Sequence, residues 1–299
     1  MQVKRIKRVV NGVLLLDKPY GFSSNQALQK VKWLYQAQKA GHTGTLDPLA
    51  TGVLPLCFGE ATKFAQRLTD ENKTYQATLK FGVTTTTGDK EGDIVSVVQG
   101  QVTAAQIAAV LPSFMGRITQ VPPMYSALKV NGKPLYEYAR EGQALARQPR
   151  EVTIYALTLL RCVDNEADIA VTCSKGTYIR TLAEDIGTQC GLGAHLTALR
   201  RTATASYQIA DTVTLDQLLD MTPDAREALL LPVESALQSL PRLVLHDDAA
   251  FYFKQGNPVW LSGSIPTGEL RIYTEQGQFL GLGEQQRDGR IAPRRVVNL

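Results

Sequence analysis

Alternation of apolar and polar side chains is clearest in residues 74–81. The apolar positions are Tyr75, Ala77, Leu79 and Phe81. A period of two predicts a β-strand with one buried face. Residues 9–16, VVNGVLLL, form a largely apolar run that predicts another strand, and this strand should end at the turn 17–21, DKPYG.

Helical spacing of apolar residues follows a clear start signal at Ser23. Gln26, three residues later, completes a capping box, and the apolar positions after it predict an amphipathic helix. A second helix is predicted over residues 60–68. It would place Lys63 and Arg67 four residues apart on one face, where both cations could meet a phosphate.

A strand, a turn and a helix are predicted in succession from residue 169 to Gly191. Arg180 would lie in the first turn of this helix, where the helix dipole disfavours a cation by roughly 0.3 to 1 kcal/mol. Glu184 is an available partner, but the pair runs in the weaker direction, with the cation first. A cation in this first turn of the helix therefore predicts that Arg180 has a better anionic partner than Glu184 in another part of the chain. A solvated surface arginine is the simpler alternative.

The remaining pattern divides the chain into a large and a small domain. Residues 118–150 are rich in proline, glycine and basic side chains, which suits an insertion that folds over a ligand. Residues 200–240 have the composition of a polar helical region. Short alternating runs with glycine and proline follow Pro241, so we predict one domain over 1–241 and a small all-β module over 242–299.

Composition is that of a soluble globular protein: 299 residues, 44% hydrophobic and 20% charged. No apolar run approaches the roughly 20 residues that a membrane helix needs. The basic first residues, MQVKRIKRVV, lack a signal-type apolar core, so we expect a cytoplasmic protein. The four cysteines and three histidines show no ligand or disulfide spacing, which argues against a metal site.

Net charge is only +4, but the basic residues are clustered. The clusters contain Lys4, Arg5, Lys7 and Arg8; Lys63 and Arg67; Lys129 and Lys133; Arg140, Arg147 and Arg150; and Arg287, Arg290, Arg294 and Arg295. This distribution suits an extended polyanion better than a small ligand. Solvated charges on an ordinary surface are the alternative.

The segment 41–52, GHTGTLDPLATG, combines loop-forming residues with two groups able to do chemistry. Its glycines permit unusual backbone angles, and Pro48 keeps the preceding residue out of the helical region. Asp47 should therefore lie on a shaped, non-helical loop that presents its carboxylate to a ligand. An ordinary Asp-Pro turn, with His42 bonded to backbone, is the alternative.

Several well-known catalytic motifs are absent from the sequence. It contains no phosphate-binding GxxxxGK[ST], no GxGxxG after a strand, no GxSxG and no HExxH. What remains is a loop carboxylate, a candidate arginine partner, basic clusters and several tyrosines. Chemistry on a nucleobase fits this set, because aromatic rings stack an extruded base and cations hold phosphates.

Five segments resemble the TruB family of tRNA pseudouridine synthases, in the family's order and over nearly the whole chain. They are GHTGTLDPLATG, LLLDKPYGFSS, KTYQATLKFG, VPPMYSALK and SKGTYIRTLAEDIG, and the final GNP and GRIAPRRVV segments resemble the family's PUA module. The resemblance implies an α+β catalytic domain on a large, bent, mainly antiparallel sheet with a PUA pseudobarrel behind it. It also implies conversion of uridine 55 in the T loop of tRNA to pseudouridine, without cofactor or metal.

Residue roles are implied by the resemblance at the matching positions. Asp47 would be the catalytic carboxylate and Arg180 its partner. Tyr75 would stack on the flipped uracil and assist the late proton transfer. The substrate-binding candidates are Tyr178, His42, Lys18, Leu199 and, from the helical spacing above, Lys63. Three roles stay open for Asp47: attack on the sugar, addition to the base, or abstraction of a ribose proton.

Two other functions are compatible with the same residues. One is an RNA-binding protein that helps tRNA to fold, with incidental catalysis. The other is hydrolysis of an N-glycosidic bond by Asp47, which would release uracil. For the isomerase we expect the T-arm stem-loop of tRNA as the partner, a monomer in solution, and no membrane association or small-molecule cofactor.

Overall fold

The computed structural model describes residues 7–261, 263 and 265–299, so Lys4 and Arg5 of the first basic cluster lie outside the described residues. The strands are β1 (Gly12–Lys18), β2 (Ala40–His42), β3 (Ala50–Phe58), β4 (Lys73–Phe81), β5 (Val83–Thr85), β6 (Ile94–Val97), β7 (Gly116–Gln120), β8 (Lys129–Val130), β9 (Lys133–Pro134), β10 (Arg150–Val163), β11 (Glu166–Cys173), β12 (Ala194–Thr204), β13 (Tyr207–Gln208), β14 (Val213–Thr214), β15 (Arg242–Leu245), β16 (Glu269–Thr274), β17 (Phe279–Gln285) and β18 (Ile291–Val296). The helices are α1 (Ser24–Leu34), α2 (Ala65–Asp70), α3 (Ala104–Val110), α4 (Leu135–Arg140), α5 (Ile179–Gln189), α6 (Leu215–Asp220), α7 (Pro223–Glu227) and α8 (Asp247–Lys254).

A ten-stranded sheet organises the larger part of the chain. Its strand order is β14-β1-β3-β12-β4-β11-β10-β7, with β13 beside β12 and β2 beside β3. The β1–β14 and β3–β12 pairs are parallel and the other pairs are antiparallel. The predicted mixed fold on a large, mainly antiparallel sheet is confirmed.

The predicted alternation in residues 74–81 is also confirmed. In β4 the side chains at 75, 77, 79 and 81 are buried against α1 and α5, and those at 74, 76, 78 and 80 are more exposed. At the start of α1, the Gln26 backbone N–H donates to Ser23 Oγ at 3.2 Å, and the Ser23 N–H donates to Gln26 Oε1 at 2.8 Å. The expected capping box is therefore present.

Two local predictions were wrong in part. Within the predicted helical region 200–240, residues 200–204 continue strand β12, because they pair with β4 over Arg200–Thr204 and with β3 at Arg200 and Arg201. Two further stretches of this region form β13 and β14, and its α-helices are limited to α6 and α7. The predicted helix 60–68 is divided into a 3₁₀ segment, Gly59–Phe64, and α2. The 3₁₀ segment is held at its start by Asn11 Oδ1, which accepts from the Glu60 N–H at 2.8 Å. Tertiary contacts decide both cases.

The C-terminal module is a four-stranded sheet, β15-β16-β17-β18, with one helix, α8, that the sequence pattern did not predict. Its apolar face is shared with the larger domain. The Phe279 ring lies 5.9 Å from that of Phe64, and Val13, Leu68 and Leu282 are buried in the same cluster. The proposed boundary at residue 241 therefore crosses a continuous core.

Truncation after residue 241 is expected to destabilise the larger domain rather than only weaken RNA binding. Exposing the shared apolar cluster should cost about 5 kcal/mol, because each fully buried large side chain contributes roughly 1.5 to 3 kcal/mol. Urea unfolding of the truncated and full chains measures this loss, and Phe279→Ala in the full chain should reproduce part of it. Equal unfolding midpoints for the truncated and full chains would contradict the shared-core interpretation.

No helix within the described residues is long and apolar enough to cross a membrane. Residues 118–120 end β7; the chain then leaves the large sheet, forms the β8–β9 hairpin and α4, and returns at residue 150 as β10. We use "the insertion" for residues 118–150. Its first half lies over the loop that carries Asp47, where the Tyr125 carbonyl accepts a hydrogen bond from Arg180 at 2.7 Å.

Candidate active site

Asp47 lies on the loop between β2 and β3, outside any helix or strand. The loop is anchored to the first turn of α1: Ser24 Oγ donates to the Leu46 carbonyl at 3.1 Å and accepts from the Leu46 N–H at 2.8 Å. Gly52 has a φ of +104°, and an added Cβ would lie 2.1 Å from the Arg201 carbonyl oxygen. A glycine is needed there both for its conformation and for space.

Arg180 lies in the first turn of α5 and is the centre of the site's polar contacts. Its side chain is only 5% exposed, and its Nη2 lies 2.9 Å from Asp47 Oδ2. The guanidinium also donates to the Thr87 carbonyl at 2.9 Å and lies 3.7 Å from Asp89 Oδ2. The anionic partner that this helix position favours is thus supplied by two carboxylates.

Asp89 is a site residue that the sequence pattern did not identify. It is buried and accepts from Thr87 Oγ1 at 2.6 Å and from the Glu91 backbone N–H at 3.1 Å, both through Oδ1. Its segment has the polar composition of a surface loop, so it carried no signal of burial. Only the fold brings this loop to Arg180.

Asp47 is accessible from the cavity but surrounded by protein on its other sides. Its side chain is 41% exposed. Burial nevertheless raises the pKa of the carboxyl above its usual range, the Arg180 cation lowers it, and the nearby charge of Asp89 raises it again. Arg180 is therefore the main group that keeps Asp47 ionised.

Tyr75 lies beside a second buried arginine, Arg201, which the sequence pattern also missed. Arg201 is 1% exposed, and its Nε donates to the Val53 carbonyl at 2.6 Å while Nη2 donates to the Gly44 carbonyl at 3.1 Å. It is the strand partner of Tyr75. Burial raises the pKa of the Tyr75 hydroxyl, and the Arg201 charge opposes that shift.

Two cavities meet at Asp47. The first, of about 550 Å³, is lined by Tyr75, Tyr178 and Leu199 among others. The second, of about 630 Å³, contains His42 and side chains of the insertion. Asp47 and Arg180 line both cavities. A planar group that entered the first cavity would therefore reach the Tyr75 ring and the carboxylate together.

Tyr178 and His42 are held in different ways. Tyr178 precedes α5, and its backbone N–H donates to Gln120 Oε1 at 3.0 Å, which fixes it against the end of β7. Burial raises the pKa of its hydroxyl. Burial lowers the pKa of His42, and its Nδ1 has no hydrogen-bond partner among the residues described. A neutral imidazole facing the second cavity follows.

Lys18 lies behind the site rather than in it. It is fully buried, and its ammonium donates to the carbonyls of Pro19 at 2.9 Å and Phe22 at 2.5 Å. Burial lowers its pKa to about 8, while the charge of Asp47 raises it. Lys18 can act on Asp47 through its charge, and it lines neither of the two cavities.

Lys63 is not brought to the site. Its ammonium lies 2.6 Å from Glu60 Oε2 and 2.9 Å from the Val296 carbonyl, at the contact with the C-terminal module. Arg67 forms an ion pair with Glu269 at the same contact. The predicted phosphate-binding pair is therefore occupied by structural partners, and we withdraw Lys63 from the substrate-binding candidates.

Three family models match successive segments of the chain. Residues 32–179 match the model for the "TruB family pseudouridylate synthase (N terminal domain)". Residues 180–238 and 241–297 match two further models, "tRNA pseudouridylate synthase B C-terminal domain" and "Pseudouridine synthase II TruB, C-terminal". A protein of Methylobacillus flagellatus named "tRNA pseudouridine synthase B" is 56% identical over 99% of this chain and 98% of its own length.

The chain belongs to the TruB family of pseudouridylate synthases. A TruB relative from Stutzerimonas stutzeri, also named "tRNA pseudouridine synthase B", is 53% identical over 99% of this chain and 98% of its own. Among solved structures, a chain of "Crystal Structure of a Cbf5-Nop10-Gar1 Complex" is 28% identical with a TM-score of 0.70, covering 92% of this chain and 78% of that one. A chain of "Structure of H/ACA RNP bound to a substrate RNA containing 2'-deoxyuridine" is 24% identical with a TM-score of 0.73, covering 96% and 85%, and supports the fold.

Proposed function

We propose that this TruB-family chain converts uridine 55 in the T loop of tRNA to pseudouridine. The observation that carries the proposal is the junction of the two cavities, where the Asp47–Arg180 ion pair meets the Tyr75 ring. The 51–56% identity to proteins named tRNA pseudouridine synthase B supports tRNA as the substrate class.

The reaction is an isomerisation. The C1′–N1 bond breaks, the uracil turns, C5 bonds to C1′, and the proton on C5 is lost while N1 gains one, so no atom is added overall. Asp47 is the group placed to act as nucleophile or base and must be ionised for either role. Arg180 keeps it anionic by its charge and by a hydrogen bond.

The uridine must leave the stack before it can reach Asp47. Extrusion costs a few kcal/mol, and stacking on the Tyr75 ring can return about 1 to 3 kcal/mol. Leu199 pairs with Ala77 across neighbouring strands, so its side chain lies on the same face of the sheet as Tyr75. Both Leu199 and Tyr75 line the first cavity. Tyr75 and Leu199 therefore provide apolar contacts for the base, and RNA contacts outside the cavity must supply the rest.

Incubation with an unmodified tRNA transcript, followed by chemical mapping of pseudouridine, tests both the reaction and its position. Pseudouridine at position 55 is expected with no change in RNA mass. Release of uracil would instead indicate hydrolysis, and modification outside the T loop would overturn the substrate assignment.

Arg150 is the basic residue best placed for a phosphate at the cavity mouth. It is exposed and lines the first cavity. Arg150→Gln should weaken RNA binding and reduce the slope of log affinity against log salt by about 1, because one phosphate contact is lost. Arg161→Gln is the control, since Arg161 is paired with Asp168 and lies outside both cavities. Equal slopes for the two variants would remove Arg150 from the RNA interface.

A further inference from the structure

Ser126 carries a hydroxyl with no assigned role at the centre of the site. It lies in the insertion and is 5% exposed, and Ser126 Oγ has no hydrogen-bond partner among the residues that the structure describes. Its backbone is fixed: the Ser126 N–H donates to the Met124 carbonyl at 2.9 Å, and its carbonyl accepts from the Tyr136 N–H at 3.1 Å. The hydroxyl is therefore held in place without a partner of its own.

The position of Ser126 distinguishes it from the other unpartnered groups. It lines both cavities, as Asp47 and Arg180 do. The hydroxyls of Thr181 and Thr204 also lack partners but line neither cavity, and the unpartnered Nδ1 belongs to His42, which lines only the second. Ser126 is thus a buried unpartnered hydroxyl that a group beside Asp47 can reach from either side.

Contacts around Ser126 tie it to the reacting groups. The carbonyl of the preceding residue, Tyr125, accepts from Arg180 Nη2 at 2.7 Å. On its other side, the Ser126 hydroxyl interacts with the Tyr178 hydroxyl without meeting the geometry of a hydrogen bond, and this interaction lowers the pKa of Tyr178 against the rise that burial causes. The insertion therefore places Ser126 beside the Asp47–Arg180 pair and Tyr178.

A buried hydroxyl without a hydrogen-bond partner lowers the stability of the protein by about 1 to 3 kcal/mol, unless a ligand supplies the hydrogen bond. A flipped base is held by stacking and by hydrogen bonds to its polar edge. Tyr75 and Leu199 offer the base apolar contact, whereas its two carbonyl oxygens and its N3–H need polar partners. A serine hydroxyl can donate to a carbonyl or accept from N3–H.

We propose that Ser126 Oγ hydrogen-bonds the polar edge of the extruded uracil, so that the insertion supplies a direct substrate-binding residue. This inference rests on the proposed function, because it takes uridine as the extruded nucleotide. It also gives the folded insertion a chemical purpose beyond covering the cleft: the site has this partner for the base only while residues 118–150 lie over Asp47.

The first measurement is turnover of a T-arm stem-loop RNA by Ser126→Ala. We expect kcat/KM to fall about tenfold, the equivalent of about 1.4 kcal/mol, with a thermal unfolding midpoint no lower than that of the wild type, because the free protein loses an unpartnered buried hydroxyl. Ser113→Ala is the control, because Ser113 is an exposed serine outside both cavities whose hydroxyl bonds to Val110 and Gln189. Equal kcat/KM values for the two variants would overturn the proposal.

The second measurement separates a contact to the base from a structural role in the insertion. Binding is compared in the Asp47→Asn background, with and without Ser126→Ala, for the uridine RNA and for the same RNA lacking the base at the target nucleotide. A base contact predicts an affinity loss of about tenfold for the uridine RNA and none for the abasic RNA. An equal loss for both RNAs, or none for either, would overturn it.

The two proposals fail in different ways. If the wild-type protein forms no pseudouridine, the proposed function fails, while the binding comparison still shows whether Ser126 contacts a base. If pseudouridine forms and removing the Ser126 hydroxyl has no base-dependent effect, the function stands and the role of Ser126 fails.

Discussion

Asp47→Asn is expected to lower pseudouridine formation about 10⁴-fold, at the upper end of what a positioned acid or base contributes. The amide keeps the size of the carboxylate and can still hydrogen-bond Arg180, but it cannot act as a base or as an anionic nucleophile. Affinity for tRNA should stay within about tenfold, or roughly 1.4 kcal/mol, because most RNA contacts lie elsewhere. Single-turnover rates and equilibrium binding with one tRNA transcript measure the two quantities.

Asp216→Asn provides the matched control for this variant. Asp216 is an exposed aspartate in the first turn of α6, outside both cavities, so the same chemical change there should leave the rate unaffected. Substantial activity in Asp47→Asn would exclude Asp47 as the essential group. If Asp47→Asn restored every cellular phenotype of a deletion, RNA binding or folding would be the function that matters in the cell.

Arg180→Met is expected to reduce the rate by roughly 10³-fold, within the range that a positioned acid or base contributes, because Asp47 loses the cation that keeps it ionised and oriented. Arg180 lowers the pKa of Asp47 against the opposing effects of burial and Asp89. Without it the pKa of Asp47 rises further, and a smaller fraction of the carboxyl is ionised at neutral pH. Activity should then increase with pH across a range in which the wild-type rate is already constant.

The pH profile separates loss of charge from loss of structure. Arg180→Lys keeps the cation but loses the planar set of donors that reaches Asp47, Thr87 and Tyr125. Its profile should lie near that of the wild type with a lower plateau. If raising the pH restored nothing in Arg180→Met, Arg180 would act through geometry alone, and the assignment of its charge to Asp47 would be wrong.

Local structure was predictable where neighbouring residues encode it. The alternation in residues 74–81 and the Ser23–Gln26 capping box both depend on residues close together in the chain, and both are present. The prediction for residues 200–204 was wrong because it rested on the leucine-rich composition of the whole region 200–240, whereas pairing with β3 and β4 makes these five residues a strand. Strand pairing with distant segments overrides local preference.

The contrast between local sequence information and distant contacts also applies to the site. The sequence by itself determined the shaped loop that presents Asp47, the mismatch of Arg180 with its helix position and, through the family motifs, the reaction expected of them. Only the tertiary structure decided that Asp89 and Arg201 belong to the site, that Lys63 does not, and that Ser126 lies beside Asp47 without a partner. The physical reason is that backbone preferences act over a few residues. The neighbours of a buried polar group are instead set by the order of strands in the sheet and by the path of the insertion.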